Sequence, residues 1–432
     1  MIQKIFHKLF RSDFAKNSAY LTSGTAIIQG LTVLCAPIIT RIYSPVEMGI
    51  FTLYASFLSI LLTVGTLKYE LAIPIAKDNK EVKNVIWLSF ITLTLFSLLL
   101  YLVSLIFKDY LLAVFNAQQL KPYIYLLSIG LWIAGFYNIL LQWALRNQAF
   151  KIITNTKIRQ GLGLNGGQLG LGLLNLGAFG LITGYIIGKS AGIFTIGKKL
   201  LKEQKQDFFQ IEWQDIGRLA KRYKSFVLYG MPAQLLSTGG LELPVIFITA
   251  IYSTSEAGQY GIAHLLISIP IALIGNAVGD VFYAEAAKNG RKNPEALLRL
   301  SEKLIKKLVL LGVLPTILLM IFSPWVFALV FSSEWRTAGE FAQILAVLGL
   351  FRLVLTPVTR VFIVFEKNLA LLLINSLRVL LVVLSFGGSY YFDLSIHWSL
   401  AIYSASMIFI YLITYVYSRR IIKLLPKEPK QS

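Results

Sequence analysis

Apolar residues fall along the chain in blocks of about twenty, the length that spans a hydrocarbon core of ~30 Å as a helix. Short polar connections separate the blocks. Backbone groups inside a bilayer must pair within their own segment, so such blocks form helices. The pattern predicts an all-α polytopic membrane protein with twelve spans, at 19–42, 49–73, 85–107, 122–144, 160–177, 179–197, 225–250, 259–282, 304–331, 338–364, 369–391 and 397–417.

Lys and Arg are concentrated in alternate connections. If the N-terminus is cytoplasmic, 33 of the 41 basic residues lie in cytoplasmic segments. The outward connections hold only four, which are Arg41, Lys108, Lys121 and Arg336. Cytoplasmic loops of membrane proteins carry this excess of positive charge. We therefore expect a multi-pass membrane protein with both termini cytoplasmic, which in a bacterium places it in the inner membrane. The net charge of +20 then indicates contact with bilayer lipids and no nucleic-acid partner.

A twelve-residue repeat relates the two halves of the chain. The segment IITRIYSPVEMG at 38–49 matches FITAIYSTSEAG at 247–258 in seven of twelve positions. Each copy ends an odd-numbered span, so the halves run parallel, as in many transporters. We expect two six-helix lobes around a central cavity. The expected domains are an N-terminal lobe at 1–197 that begins with an interfacial helix, a basic linker at 198–224, a C-terminal lobe at 225–418 and a basic tail at 419–432.

Composition excludes several kinds of chemistry. Charged residues are 14% of the chain, against about a quarter in a soluble domain. The single Cys35 excludes an intramolecular disulfide, and the three histidines are scattered. The sequence has no P-loop and no Asp-x-Asp pair for a sugar nucleotide's metal. We therefore expect no metal, no cofactor and no enzyme activity.

A polar stripe runs along the first span. Thr25 and Gln29 belong to a series in which Ser or Thr recurs every three or four residues, on one helix face. Gln234, Thr238 and Glu242 form the aligned series in the second half. Such stripes line a water-filled cavity or, alternatively, hold neighbouring membrane helices together. We expect Thr25 and Gln29 to line the cavity.

Arg378 is the most informative single residue, because it sits near the middle of the eleventh span. An arginine at the centre of a membrane costs roughly 2.5–3.5 kcal/mol on insertion scales, so it faces water or a partner. Its planar guanidinium suits bidentate bonding to phosphate. We expect Arg378, Asn375 and Arg352 to bind a phosphate group. The alternative is a buried ion pair of Arg378 with Glu242 or Asp280.

Further polar residues lie towards the cytoplasmic side. Gln142 and Arg146 follow one face of the fourth span, which predicts a polar and cationic inward mouth. Lys68 and Glu70 are two residues apart and do not face each other on a helix, so no local ion pair is expected. The candidate proton carriers for coupling to an ion gradient are the acids Glu70, Glu242 and Asp280.

Three stretches of the chain resemble a known family. TRIYSPVEMGIFTLYASFLSILLTVGTLKYELAIPIAKDNKE, the region that begins LRNQAFKIITNTKIRQG, and VGDVFYAEAAK are similar to Wzx-type flippases of polysaccharide and O-antigen. These belong to the multidrug/oligosaccharidyl-lipid/polysaccharide (MOP) exporter superfamily. The resemblance implies a MATE-like fold and a cationic cavity, to which Arg41, Lys68 and Arg146 correspond by position. Arg41 has no counterpart in the repeat, where Ala250 is aligned with it.

The resemblance also implies a substrate and a process. The substrate would be an undecaprenyl-diphosphate-linked oligosaccharide, carried to the periplasmic face by alternating access. This would serve synthesis of O-antigen and lipopolysaccharide, capsule or exopolysaccharide, with polymerase and glycosyltransferases of the same pathway as partners. Two alternatives stay open. A cation-coupled drug exporter of the same superfamily is disfavoured by the arginines, and a membrane glycosyltransferase or polymerase is disfavoured by the short outward connections.

Overall fold

The structure is a computed structural model that describes residues 13–203 and 212–425. Every regular element within those ranges is helical. The interfacial helix expected at the N-terminus and most of the basic tail lie outside the described residues, as does the middle of the basic linker. The described chain divides into two compact units, one running to Thr238 and the other starting at Gly239.

The described part of the first unit contains seven α-helices. Two 3₁₀ turns, Tyr69–Ile75 and Gln118–Tyr123, lie between them. The helices are α1 Asp13–Ile42, α2 Pro45–Val64, α3 Asn79–Val114, α4 Ile124–Arg146, α5 Phe150–Leu173, α6 Gly177–Glu203 and α7 Trp213–Arg222.

The next seven helices lie in the described part of the second unit, except that the first eight residues of α8 precede the division. A π-helical turn, Phe226–Gly230, precedes α8, and 3₁₀ turns lie at Ser333–Trp335 and Thr356–Arg360. The helices are α8 Met231–Ile251, α9 Thr254–Asn289, α10 Pro294–Phe331, α11 Arg336–Leu355, α12 Val361–Val364, α13 Asn368–Tyr391 and α14 Ile396–Lys423.

Eleven segments of the described chain are long and apolar enough to cross a membrane. The predicted span that does not meet this measure is α5, which has 24 residues but carries Lys157 and Arg159. This helix still forms the predicted hairpin with α6, because small residues allow close packing. A Cβ on Gly167 would lie 3.0 Å from the Cα of Gly184. The all-α polytopic fold class is confirmed, and the helices are consistent with twelve spans.

The second predicted span ends early, and the turn that follows it brings Lys68 and Glu70 together. The span expected at 49–73 stops at Val64. Leu67 and Lys68 have φ angles of 50° and 62°, in the left-handed region, and the 3₁₀ turn then begins. Helical geometry predicted that Lys68 and Glu70 would form no ion pair, and that prediction is wrong. Because these residues leave the helical conformation, Lys68 Nζ lies 3.7 Å from Glu70 Oε1.

The sequence repeat marks the same helix start in both units. The Ser44 hydroxyl accepts from the Glu47 amide at 3.3 Å, and the Glu47 carboxylate accepts from the Ser44 amide at 2.8 Å. This is a capping box, which satisfies two otherwise unpaired amides. In the second copy, Ser253 accepts from the amide of Glu256 at 3.1 Å. The repeated residues therefore cap the second helix of each unit.

The repeat's tyrosine makes a long-range contact in both units. The Tyr43 hydroxyl donates to the carbonyl of Gln168 at 2.6 Å. At the aligned position, the Tyr252 hydroxyl donates to the carbonyl of Leu394 at 2.9 Å. Each bond ties the turn after a unit's first helix to a later part of that unit. The residues that the two segments share therefore form a long-range contact as well as a local helix cap.

The linker helix α7 is amphipathic and is held against the start of α3. Its apolar side buries Ile216 and Leu219. Lys80 lies 2.7 Å from Glu212 and 3.2 Å from Asp215. The adjacent Glu81 is buried and accepts from Arg222 at 2.9 Å. These contacts make α7 part of the first unit.

The residue that follows α7 completes this contact. The Tyr223 hydroxyl donates to the Glu81 carboxylate. Burial of the ring, together with this carboxylate, raises the pKa of Tyr223 to about 12. The Tyr223 hydroxyl therefore stays protonated, and remains a donor, at physiological pH. Glu81 thus has two partners from the linker, Arg222 and Tyr223.

Candidate functional site

A small cavity lies within the second unit, among α8, α9, α11, α13 and α14. Its volume is about 30 Å³, and one water needs ~10–15 Å³ measured in this way. The cavity therefore has room for about two waters. The polar and aromatic residues that line it include Tyr260, His264, Ser268, Arg352, Arg378 and Tyr411.

Arg352 enters the cavity from the last turn of α11. Its Nη1 lies 3.3 Å from His264 Nε2 and 3.3 Å from the Ser268 hydroxyl oxygen. His264 and Ser268 are four residues apart on α9, so they share one face. Gly349, one turn before Arg352, allows the close approach of α11 to α9. A Cβ at that position would lie 2.7 Å from Ile267 Cγ2.

Arg378 enters from the middle of α13. Its Nη1 donates to the side-chain oxygen of Asn375 at 3.2 Å. Its guanidinium carbon lies 5.8 Å from the centre of the Tyr411 ring, within the range of a cation–π contact. The side chain passes over Gly240 of α8, where a Cβ would come within 2.8 Å of Arg378 Cδ.

The partners of both arginines are neutral. Among the described residues of the second unit, the hydrogen-bond partners of the two guanidinium groups are His264, Ser268 and Asn375, and none of them is a carboxylate. Asp280, one partner considered for Arg378, instead lies 3.6 Å from Arg360 Nη2. A charge in a membrane span needs a partner or water. Two cations that share a cavity lined by neutral groups form a site suited to an anion.

The other predicted cationic residues lie in the first unit. Arg146 Nη1 donates to the carbonyls of Ile73, Pro74 and Ala76, at 3.2, 3.2 and 2.6 Å. It therefore closes the end of the 3₁₀ turn Tyr69–Ile75, whose carbonyls lack helical partners. Arg41 is exposed at the end of α1. The cavity of the second unit contains neither residue.

The polar stripe of α1 contacts α5. Lys157 Nζ donates to the Thr25 hydroxyl at 3.2 Å, and the Asn165 amide donates to the Thr32 hydroxyl at 3.4 Å. Both are interhelical hydrogen bonds of the kind expected from the packing alternative. Gln29 lies between them, and its side-chain oxygen is buried without a hydrogen-bond partner. Gln142 is half-buried on α4.

The three acidic candidates occupy different environments. Glu70 is buried and accepts from the Thr66 hydroxyl at 2.5 Å, in addition to its contact with Lys68. Glu242 is half-buried on α8 and is one of the charges acting on Tyr260, a cavity residue. Asp280 is largely exposed, and its partner is Arg360.

Sequence reasoning missed His264 and the aromatic residues around it. No Cys or carboxylate cluster lies near His264 in the sequence. The sequence therefore predicts no metal site there, and it gives no other reason to single out this residue. Its ring stacks on Tyr260, with centroids 5.6 Å apart and an interplanar angle of 9°. The available signal was the i, i+4 spacing of Tyr260, His264 and Ser268 along one face of the eighth span. Only the fold brings that face to Arg352.

Comparison with known proteins identifies the family. Residues 38–340 match the family described as "Polysaccharide biosynthesis protein". The chain belongs to this family. A curated relative is the teichuronic acid biosynthesis protein TuaB of Bacillus subtilis (strain 168), which is 23% identical over 288 residues. That alignment covers 65% of the chain and 56% of TuaB, so it spans little more than half of the relative's length.

Solved structures share the fold of this family member. The lipid II flippase MurJ in an inward closed conformation has a TM-score of 0.70 at 13% identity, covering 94% of this chain and 87% of MurJ. A multidrug resistance MATE family transporter of the MOP superfamily, facing inward, has a TM-score of 0.65 at 18% identity and 94% coverage of both chains. The MATE-like fold that the sequence resemblance implied is confirmed.

Proposed function

We propose that this protein is a flippase that moves an undecaprenyl-diphosphate-linked oligosaccharide from the cytoplasmic to the periplasmic face of a bacterial inner membrane. The observation that carries the proposal is the cavity with Arg352 and Arg378, whose partners in the second unit are all neutral. A diphosphate supplies the missing negative charge. It also offers several acceptor oxygens to two planar donors.

The relatives support this class of substrate. The family is named for polysaccharide biosynthesis, and TuaB is named for teichuronic acid biosynthesis. The name of MurJ describes a lipid II flippase, and the MATE neighbour is named for multidrug resistance. Of these two activities, the flippase matches the positive charge of the cavity better, because the fixed charges of Arg352 and Arg378 repel a cationic drug.

Each part of such a substrate has its own physical requirement. The diphosphate needs fixed positive charge away from bulk water. The glycan needs a wet and polar path, because sugar hydroxyls cannot cross lipid unpaired. The polyprenyl chain can stay in the bilayer. We assign diphosphate binding to Arg352, Arg378 and Asn375, contact along the cytoplasmic entry path to Lys68, Arg146 and Gln142, and contact on the outward side to Arg41.

A cavity with room for about two waters is too small for a diphosphate, so the substrate must widen it. The helix that carries Arg352 is interrupted directly afterwards by the 3₁₀ turn Thr356–Arg360, which contains Pro357. A proline removes a backbone hydrogen bond and permits bending. We infer that α11 bends at this turn when the pocket opens. Transport proceeds by alternating access and uses no enzyme chemistry of its own.

Reconstitution tests this function directly. Purified protein in proteoliposomes would be given a fluorescent undecaprenyl-diphosphate-linked sugar, and a membrane-impermeant quencher would report the fraction in the outer leaflet. We expect transbilayer movement that exceeds the rate in protein-free liposomes. Sugar transfer without movement would favour a glycosyltransferase. Export of a cationic dye without movement of the lipid-linked sugar would favour a drug exporter.

A further inference from the structure

His264 has a nitrogen that faces a guanidinium. Its Nε2 lies 3.3 Å from Arg352 Nη1 and 3.2 Å from the hydroxyl oxygen of Ser268. A guanidinium can only donate a hydrogen bond, so the nitrogen facing it accepts. The network therefore assigns the neutral imidazole to this arrangement, with its proton on Nδ1.

The other groups near His264 come from its own helix and from α8, α13 and α14. Tyr260 stacks on it from its own helix, and Tyr403 of α14 lies beside Tyr260. Arg378 of α13 lines the same cavity. Arg352 and Arg378 are the two charged residues in the cavity lining, and the carboxylate of Glu242 on α8 acts on Tyr260. A second positive charge on the imidazole would be repelled by Arg352.

An anion in the cavity reverses this situation. A diphosphate between Arg352 and Arg378 accepts the N–H groups of both residues and offsets their charge. Nε2 of His264 then loses its donor and lies beside negative oxygens. A proton on Nε2 becomes favourable there, because the imidazolium can donate a charge-assisted hydrogen bond to the diphosphate.

We propose that His264 is a further binding residue of this pocket, which takes up a proton when a diphosphate binds between Arg352 and Arg378 and donates a hydrogen bond to it. The identity of the anion rests on the proposed function, whereas the proton uptake is independent of the sugar. Anion and proton then bind together, and each strengthens the binding of the other by the same factor.

The sign of the pH dependence follows from this linkage. Anion binding increases the affinity of His264 for a proton, so the bound state holds more protons than the free state. Affinity for the anion is therefore greatest at low pH and falls as pH rises, by up to about tenfold per pH unit. A pocket that used only the two arginines would bind the same diphosphate diester equally well across neutral pH, since arginine stays protonated.

Calorimetry on the purified full-length protein measures this uptake. The probe is a water-soluble analogue with a citronellyl chain, a diphosphate diester and one glucose, because a diester does not itself titrate near neutral pH. Titrations at pH 6, 7 and 8, in two buffers of different ionisation enthalpy, give the protons taken up per ligand bound. We expect uptake that approaches one proton within this range, together with weaker binding at pH 8 than at pH 6.

Two variants separate His264 from other titrating groups. His264→Gln should abolish the proton uptake and flatten the pH dependence of whatever affinity remains. His397→Gln is the matched control, because His397 lies in the same unit but is exposed and paired with Glu340; it should take up protons like the unaltered protein. Equal uptake by His264→Gln and the unaltered protein would overturn the proposal.

A measurement on the unaltered protein covers the case in which His264→Gln does not fold. Histidines labelled with ¹³C at Cε1 would be titrated by NMR with and without the analogue. We expect one of the resonances to titrate at higher pH when the analogue is bound. Binding without any change in histidine titration would overturn the proton uptake and leave the proposed function standing. Absence of binding would overturn both.

Discussion

Gly240 lies directly against the side chain of Arg378. A Cβ at position 240 would come 2.8 Å from Arg378 Cδ and 3.1 Å from its Cγ. Both distances are shorter than a normal carbon–carbon contact, so any side chain at 240 must displace the arginine. The placement of the guanidinium in the cavity therefore depends on a residue of another helix that has no side chain.

Gly240→Ala should consequently impair transport. We expect the rate in the proteoliposome assay to fall about tenfold, because the added methyl group moves the guanidinium within the cavity, and a loss of ~1.4 kcal/mol of substrate binding corresponds to tenfold. Gly239→Ala is the matched control, because a Cβ there would meet only Leu243 Cδ1, at 3.8 Å. Both changes add the same methyl group to the same helix. Equal transport by the two variants would show that the position of Arg378 does not matter.

Arg378→Ala should abolish transport while the protein remains in the membrane at its normal level. Arg378→Lys should restore transport only in part, because an ammonium provides charge without the planar fork of a guanidinium. The measurement is glycan export in cells that lack the native gene, with the protein quantified by immunoblotting. Arg336→Ala, at an exposed position on α11, serves as the control. Full export by Arg378→Ala would exclude a role in binding the substrate.

Glu70→Gln should destabilise the first unit. The carboxylate is 4% exposed and holds both Thr66 and Lys68 across the left-handed turn. Loss of its charge leaves a largely buried ammonium without its partner, at a cost of about 1–3 kcal/mol. We expect a lower apparent melting temperature in detergent. Glu340→Gln, which breaks a more exposed pair with Arg336, should change it little.

The Glu70 variant also tests the second role predicted for this residue. If Glu70 carries a coupling proton, Glu70→Gln should lose ion-driven export even when its melting temperature is normal. If the residue acts only through the turn, export should fall in proportion to stability. Comparison of the two measurements on the same preparation distinguishes these roles.

Glu81→Gln should loosen the linker helix α7 from the first unit. Glu81 is buried and has Arg222 and Tyr223 as partners. Hydrogen–deuterium exchange should increase across Trp213–Arg222. Lys80→Ala removes the neighbouring contacts to Glu212 and Asp215, but Lys80 is solvent-exposed, and exposed pairs contribute little. We therefore expect a much smaller increase for Lys80→Ala. The opposite order would show that the exposed pairs hold the helix.

Much of the fold was predictable because span length and apolar content are properties of local sequence. The repeat even located the equivalent helix starts at Ser44 and Ser253. The exception is informative. The apolar run of the second span continues beyond Val64, yet the chain leaves the helix there, through left-handed residues at Leu67 and Lys68. Hydropathy does not distinguish a membrane helix from a buried turn.

The candidate site was predictable only in part. A central arginine in an apolar span stands out in any sequence, so Arg378 and Arg352 were found, and Asn375 one turn away followed from helical periodicity. The function of the other cationic candidates stays a prediction. Arg146 shows why, since its guanidinium binds three backbone carbonyls of a turn whose existence the sequence did not reveal.

The sequence by itself determined the class of protein, the all-α membrane fold, the repeated segment and the family, because each depends on residues that are near one another in the chain or match a known pattern. The tertiary structure decided which polar groups meet. Arg352, His264 and Arg378 lie on three helices far apart in sequence, and only packing over Gly349 and Gly240 brings them to one cavity. Charge within a span is visible in the sequence, but whether that charge already has a partner depends on the fold.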